Sequence, residues 1–177
     1  MPKKKMASRC YRRNLPHIQE EGKTFFVTFC TKNNQVLDSG ARSVVLDCCR
    51  YIHDRTAVLH GVVVMPDHVH LILTPLSDQN GQAWRLEKIL QGIKGISARK
   101  VNLLLHREGP LWLGESFDHM LRTEESAEAK VEYIAHNPVR KGLAKTPEEY
   151  PWLWRLSEHH GPASVNPETQ RETLRKS

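Results

Sequence analysis

Two clusters of side chains in this 177-residue chain have the types and spacing of reacting groups. The first is His68-Val69-His70, inside the apolar run AVLHGVVVMPDHVHLILTP. Alternate residues of a strand point to one face, so the two imidazoles become neighbours while Val69 turns to the other side. Paired imidazoles suit a divalent metal. An ordinary pair of histidines on a partly exposed strand fits the same spacing, and both readings stand at this point. Zinc is a natural rival occupant, but no cysteine or third histidine stands at a structural-zinc spacing. Asp67 could orient an imidazole as an acceptor, yet Pro66-Asp67 is also good turn chemistry, and the turn is the reading we favour.

The second cluster is VEYIAHNPV, which places Tyr133 and Asn137 four residues apart. At about 100° per residue they lie only about 40° apart around a helix axis, so one face presents both. The apolar stripe Ala127, Val131, Ile134 and Ala135 points elsewhere, and neither residue reads as simple core filling. A core-edge tyrosine with its hydroxyl in water, and an Asn-Pro helix terminator, are the ordinary alternatives. His136 is a further potential ligand, ranked behind Asn137 because its offset from Tyr133 leaves it facing solvent.

These groups must be held by elements that the sequence also announces. Thr24 to Cys30, TFFVTFC, is aromatic and β-branched and reads as a strand. Val45, Cys48, Cys49 and Ile52 recur at helical spacing, predicting a helix from Ala41 to His53 with Ser39 as its N-cap. The two apolar runs around Pro66-Asp67 predict an antiparallel hairpin. A longer helical stripe lies between Trp84 and Leu105, where Gly92 and Gly95 suggest room for a close backbone or a ligand. Leu111 to Leu121 can supply another strand. Thr123, Glu124 and Glu125 look like the opening of a last helix that stops at Asn137-Pro138. Trp84, Trp112, Trp152 and Trp154 could stack on unpaired bases or pack as partial core, and PWLW reads as packing for the C-terminal segment. The order strand, helix, hairpin, helix, strand, helix predicts an α+β fold, a ferredoxin-like antiparallel sheet with helices packed against it. We expect a basic arm over residues 1–22, one domain over 23–154 and a polar tail over 155–177.

Lysine and arginine number 26 against 20 acids, a formal charge of +6. Six of the cations, Lys3, Lys4, Lys5, Arg9, Arg12 and Arg13, stand at the N-terminus with no acid among them. A phosphate-tracking arm, a lipid-binding arm and a solvated end all fit that pattern. Lys94 and Arg99 in the middle helix, with Arg122 and Arg140 further on, could extend a DNA-binding surface. No apolar run approaches the ~18–20 residues needed to span a bilayer, and no apolar stretch follows the basic start as a secretory leader requires. The expected location is the cytoplasm, with reduced thiols at all four cysteines.

Taken together, MPDHVHLIL, the IKG segment at Ile93 to Gly95, SFDHMLR, YIAHNPVRKGL and YPW resemble the REP-associated tyrosine transposases, in that family's order and over approximately Thr24 to Trp154. These are single-tyrosine, insertion-sequence-200-like members of the histidine-hydrophobe-histidine endonuclease superfamily. A histidine pair on a hairpin followed by Tyr-x-x-x-Asn-Pro on a helix is far more specific than either motif alone. The resemblance implies that Tyr133 is the nucleophile and that His68, His70 and Asn137 are metal ligands for Mg2+ or Mn2+. It places Asp118 and His119, with Arg122, near the site, without giving them a role. Leu113, where relatives commonly carry a polar residue, and Lys141 in NPVRKGL depart from the pattern, and neither is a proposed catalytic group.

The implied activity is metal-dependent cleavage and rejoining of single-stranded DNA at REP-type hairpins through a 5′-phosphotyrosine link, in the service of transposition. The implied partner is single-stranded or hairpin DNA, bound by a monomer or homodimer working at the bacterial nucleoid. A non-catalytic, domesticated hairpin-binding protein is the alternative. An RNA-binding module would need exposed aromatics on its sheet rather than paired histidines. No nucleotide-binding loop is present in the sequence, consistent with chemistry that conserves phosphodiester energy.

Overall fold

A computed structural model describes residues 22–122 and 126–156. The basic residues Lys3, Lys4, Lys5, Arg9, Arg12 and Arg13, together with Cys10 and Thr123–Glu125, lie outside the described residues. Five antiparallel strands form one sheet in the order β4-β1-β3-β2-β5. They are β1 (Phe25–Cys30), β2 (Ala57–Val64), β3 (His68–Pro75), β4 (Phe117–Met120) and β5 (Leu153–Arg155). Helices α1 (Ser39–Arg50) and α2 (Leu86–Leu104) belong to one face; α3 (Ala127–Ala135), followed by the single turn α4 (Asn137–Arg140), belongs to the other. The α+β expectation is met. Among the described residues no helix is long and apolar enough to cross a membrane.

Strand alternation builds two unequal cores. Phe25, Val27 and Phe29 of β1 and Val69, Leu71 and Leu73 of β3 point to α1 and α2 and join Val45, Leu90, Ile93 and Val101 in the larger one. The opposite face is covered in part: Val63 and Ile72 meet Val131 and Ile134 of α3, with Met65 and the buried Tyr150. This second face carries His68 and His70. Gly61, beside a β-bulge in β2, lies under α3; a methyl group there would stand 3.0 Å from both Val131 methyls.

Helix boundaries follow local chemistry, with three departures from expectation. The cap of α1 is Asp38, not Ser39: its Oδ1 accepts from the Ala41 amide at 2.7 Å, an acid at the positive helix end. The cap of α3 is Ser126, whose Oγ accepts from the Ala129 amide. Nor does the chain leave helical geometry at Asn137-Pro138. After His136 it turns once more as α4, because Pro138 sits in the first turn, where its missing N–H costs nothing.

The strand expected over Leu111 to Leu121 is split. Trp112 makes one bridge to Thr31, then Gly114–Ser116 swing off the sheet and pairing resumes at Phe117. Their departure is stabilised by Lys94, whose Nζ donates to the carbonyls of Gly114 (2.8 Å) and Glu115 (3.4 Å) and to Ser116 Oγ (3.3 Å). Trp112 is buried edge-on against Phe29 and donates to Ser97 Oγ, so it is core and not a stacking platform. Gly92 and Gly95 have open space around them rather than the close backbone their presence suggested. Gly95 borders a cavity of about 470 Å3 between α2 and Leu111–Ser116. The YPW segment does more than pack. It leads into β5, which pairs with β2, while Trp152 stacks under the Arg42 guanidinium at 3.5 Å and donates to Ser43 Oγ.

Candidate functional site

His68 and His70 project from the start of β3, on the face shared with α3, with ring centroids 4.7 Å apart. Each ring is fixed through Nδ1. His68 Nδ1 lies 2.6 Å from Asp67 Oδ1, and His70 Nδ1 lies 2.7 Å from Thr28 Oγ1 on the neighbouring strand. Register explains the second contact, since Thr28 is the β1 residue paired with His70. Among the described residues no hydrogen bond engages Nε2 of either ring. An imidazole held through one nitrogen with the other free is the arrangement of a metal ligand and the residue that orients it.

The Asp67 contact corrects our preference for turn chemistry. Asp67 occupies the turn and orients His68 as well. Thr28 was missed entirely, as was Phe26, whose ring stacks on His70 at 5.5 Å. Strand alternation could place Phe26 and Thr28 on one face, but the pairing that brings them to His70 is non-local. Burial, reinforced by His68 and by the Arg140 charge, pulls the His70 pKa down to about 3. Its imidazole is therefore neutral at ordinary pH, the form that can donate a lone pair.

Tyr133 and Asn137 come from α3 and the turn after it. Val131, Ile134 and Ala135 are buried, whereas the Tyr133 side chain is 55% exposed, as the helical wheel required. The Tyr133 hydroxyl has no hydrogen-bond partner among the described residues. Arg140 lies across this pair: its Cζ is 4.5 Å from the Tyr133 ring centroid, and its NH2 group donates to the Tyr133 carbonyl (2.7 Å) and to Asn137 Oδ1. The positive charge of Arg140 also helps lower the His70 pKa, behind burial and His68. His136 is exposed, its Nδ1 2.9 Å from the Glu132 carbonyl.

The remaining candidates disperse. Alternation in β4 sends Asp118 and His119 to opposite faces. His119 pairs with Phe26 on the histidine side, and Asp118 lines the cavity under α2. Lys94 is held in that cavity wall, away from the histidine face. Arg99 is exposed on α2 and Arg122 is exposed just after β4.

The donor set can be tested against a metal. Among the described residues no group of three histidine, cysteine, aspartate or glutamate side chains converges to hold an ion. Two imidazoles with free Nε2 atoms fit part of such a site, and a carboxamide oxygen from Asn137 would complete a mixed nitrogen and oxygen set. In this conformation that oxygen is engaged by Arg140.

A family model described as IS200-like transposase matches residues 20–137, a span that includes both histidines, Tyr133 and Asn137. A Haemophilus influenzae protein provisionally named a REP-associated tyrosine transposase is 22% identical over 116 residues, 63% of this chain. The chain spans 64% of that relative's length. The solved structure of a REP-associated tyrosine transposase bound to a REP hairpin superposes with a TM-score of 0.61 at 22% identity, covering 81% of this chain and 80% of the other. That likeness shows the fold.

Proposed function

Since this chain belongs to the family of IS200-like transposases, we propose that it cleaves and rejoins single-stranded DNA at a hairpin, with Tyr133 as the nucleophile. The observation that carries the reading is the convergence on one sheet face of two imidazoles fixed through Nδ1 and an exposed phenol crossed by a guanidinium. The REP hairpin bound by the structurally similar transposase is the substrate class to try first.

In this reading the exposed phenol reaches a phosphate without a rearrangement of the core, because α3 is anchored by its opposite side. Attack of the Tyr133 oxygen forms the P–O bond to tyrosine, and the bond to the 3′ oxygen breaks, leaving a 5′-phosphotyrosine and a free 3′-OH. The phenol gives up a proton to water and the departing oxygen takes one up. Reversal by a 3′-OH rejoins DNA with no external energy source. Asp67 and Thr28 hold the two imidazoles at fixed orientation, so His68, His70 and a released Asn137 would hold a magnesium or manganese ion, which supplies charge neutralisation at the phosphoryl oxygens.

The test is a covalent-adduct assay on labelled single-stranded DNA carrying REP-type hairpins, with and without divalent metal. Wild-type protein gives a metal-dependent adduct. Tyr133→Phe gives none while binding the hairpin with near-normal affinity, because only the attacking oxygen is removed. Binding without any adduct from the wild-type chain, across hairpins and metals, would replace this reading with that of a non-catalytic hairpin-binding protein.

A further inference from the structure

Arg140 lies beyond the residues matched to the transposase family, yet its charged side chain is seated against Tyr133. Its guanidinium covers the Tyr133 ring and donates to the Tyr133 carbonyl and to Asn137 Oδ1 through a single nitrogen, NH2. Nε and NH1 have no protein partner among the described residues, and the side chain is exposed. A planar fork with unspent donors, fixed beside a nucleophilic oxygen, matches a phosphate's non-bridging oxygens in a way a lysine cannot. The helix break explains its placement. By continuing one turn past Pro138, α4 brings Arg140 back over Tyr133, seven residues earlier in the chain.

We propose that Arg140 is a further catalytic residue, whose guanidinium grips the non-bridging oxygens of the phosphate attacked by Tyr133 and, in turning to them, gives up Asn137 Oδ1. The inference rests on the tyrosine-transfer reading above and adds a residue to it. As Tyr133 Oη bonds to phosphorus and the 3′ oxygen leaves, the two non-bridging oxygens carry the negative charge of the crowded five-coordinate arrangement. Arg140 stays protonated throughout and takes no part in the proton balance between phenol and 3′ oxygen. Its second effect follows from one shared nitrogen: when NH2 moves to the phosphate, the carboxamide of Asn137 becomes available as a ligand only once substrate is present.

The experiment compares adduct formation by wild-type, Arg140→Ala, Arg140→Gln and Arg140→Lys proteins on two hairpin substrates. One has an ordinary scissile phosphodiester, the other an uncharged methylphosphonate at that linkage. On the phosphodiester the alanine and glutamine variants lose roughly 10²–10³ in single-turnover rate, as when one donor to a developing oxyanion is removed, and lysine restores part of it. Hairpin affinity falls by less than about tenfold, since one phosphate contact among many is lost. On the methylphosphonate the gap between wild type and variants shrinks to a few-fold, because one of the two charged oxygens that Arg140 grips is replaced by a methyl group. An equal loss on both substrates would overturn the proposal, since a residue that merely braces the helix is indifferent to substrate charge. So would unchanged rates in the variants. Absence of any adduct from the wild type would sink the underlying reading instead, and the two failures are distinguishable.

Discussion

At the residue scale, the environment of His70 departs far from water. Its folded pKa of about 3, set first by burial and then by His68 and Arg140, lies below the unfolded value of about 6.5. Between these limits the unfolded chain binds a proton that the folded chain refuses. This contribution to stability is fully present above about pH 6.5 and drains away as pH falls towards 3, by at most ~1.4 kcal/mol per pH unit. His60, lowered chiefly by burial and then by His53, adds a slope of the same sign. Urea midpoints of wild type and His70→Asn, followed from pH 7 to pH 4, separate the two. The variant loses less stability on acidification, and parallel curves would contradict the assignment. The histidine pair and the tyrosine were legible because each motif is local: alternation places one, helical spacing the other. Thr28, Phe26 and the hold of Arg140 on Asn137 were not. They depend on strand pairing across 42 residues, on the register of β1, and on a helix that resumes after Pro138.

At the scale of elements, the height of α3 above the sheet is set at Gly61. The missing side chain lets Val131 sit directly on β2, and a methyl group at 61 would meet both Val131 methyls at 3.0 Å. Gly61→Ala is expected to cost about 1–3 kcal/mol through overpacking and to displace the helix that carries Tyr133. Pairing it with Val131→Ala should return part of the stability, measurable as a non-additive change in thermal midpoint. Additive losses would mean that the helix does not rest there. Element types were readable in advance because apolar periodicity is a local property. Strand β5 was not, since LWR has neither the length nor the alternation of a strand and pairs only because β2 offers an open edge. Asp38 and its neighbour Ser39 are equivalent caps in sequence, because either side chain can accept from a first-turn amide and only the backbone angles decide.

At the scale of the molecule, one sheet separates two kinds of surface. The face under α1 and α2 is closed by the larger core, and the face under α3 is only partly roofed, leaving Tyr133 exposed and the two histidines partly covered. Positive residues are therefore not equivalent, whatever their contribution to net charge. Lys94 is spent within the protein, bracing the Gly114–Ser116 excursion from the far face. Lys94→Ala is expected to lower the thermal midpoint while leaving the salt dependence of the proposed hairpin binding unchanged. Loss of one phosphate contact would instead lower that slope, log affinity against log salt, by roughly 0.7–0.9. A fall in slope with unchanged stability would return Lys94 to the proposed DNA-binding surface. Sequence could count these cations but not sort them, because their partners come from distant segments.

The turn that presents His68 is tied to the rest of the chain through its own backbone groups, one of which, the Asp67 carbonyl, also accepts from the Thr31 hydroxyl at 3.1 Å. The Asp67 carbonyl takes the Thr31 amide at 2.8 Å, the Pro66 carbonyl takes the Leu37 amide at 2.7 Å, and the Met65 amide closes on the His68 carbonyl at 2.8 Å. None of these bonds depends on what the imidazoles do. The shape of the turn is therefore set by the chain itself, whatever the two rings come to hold.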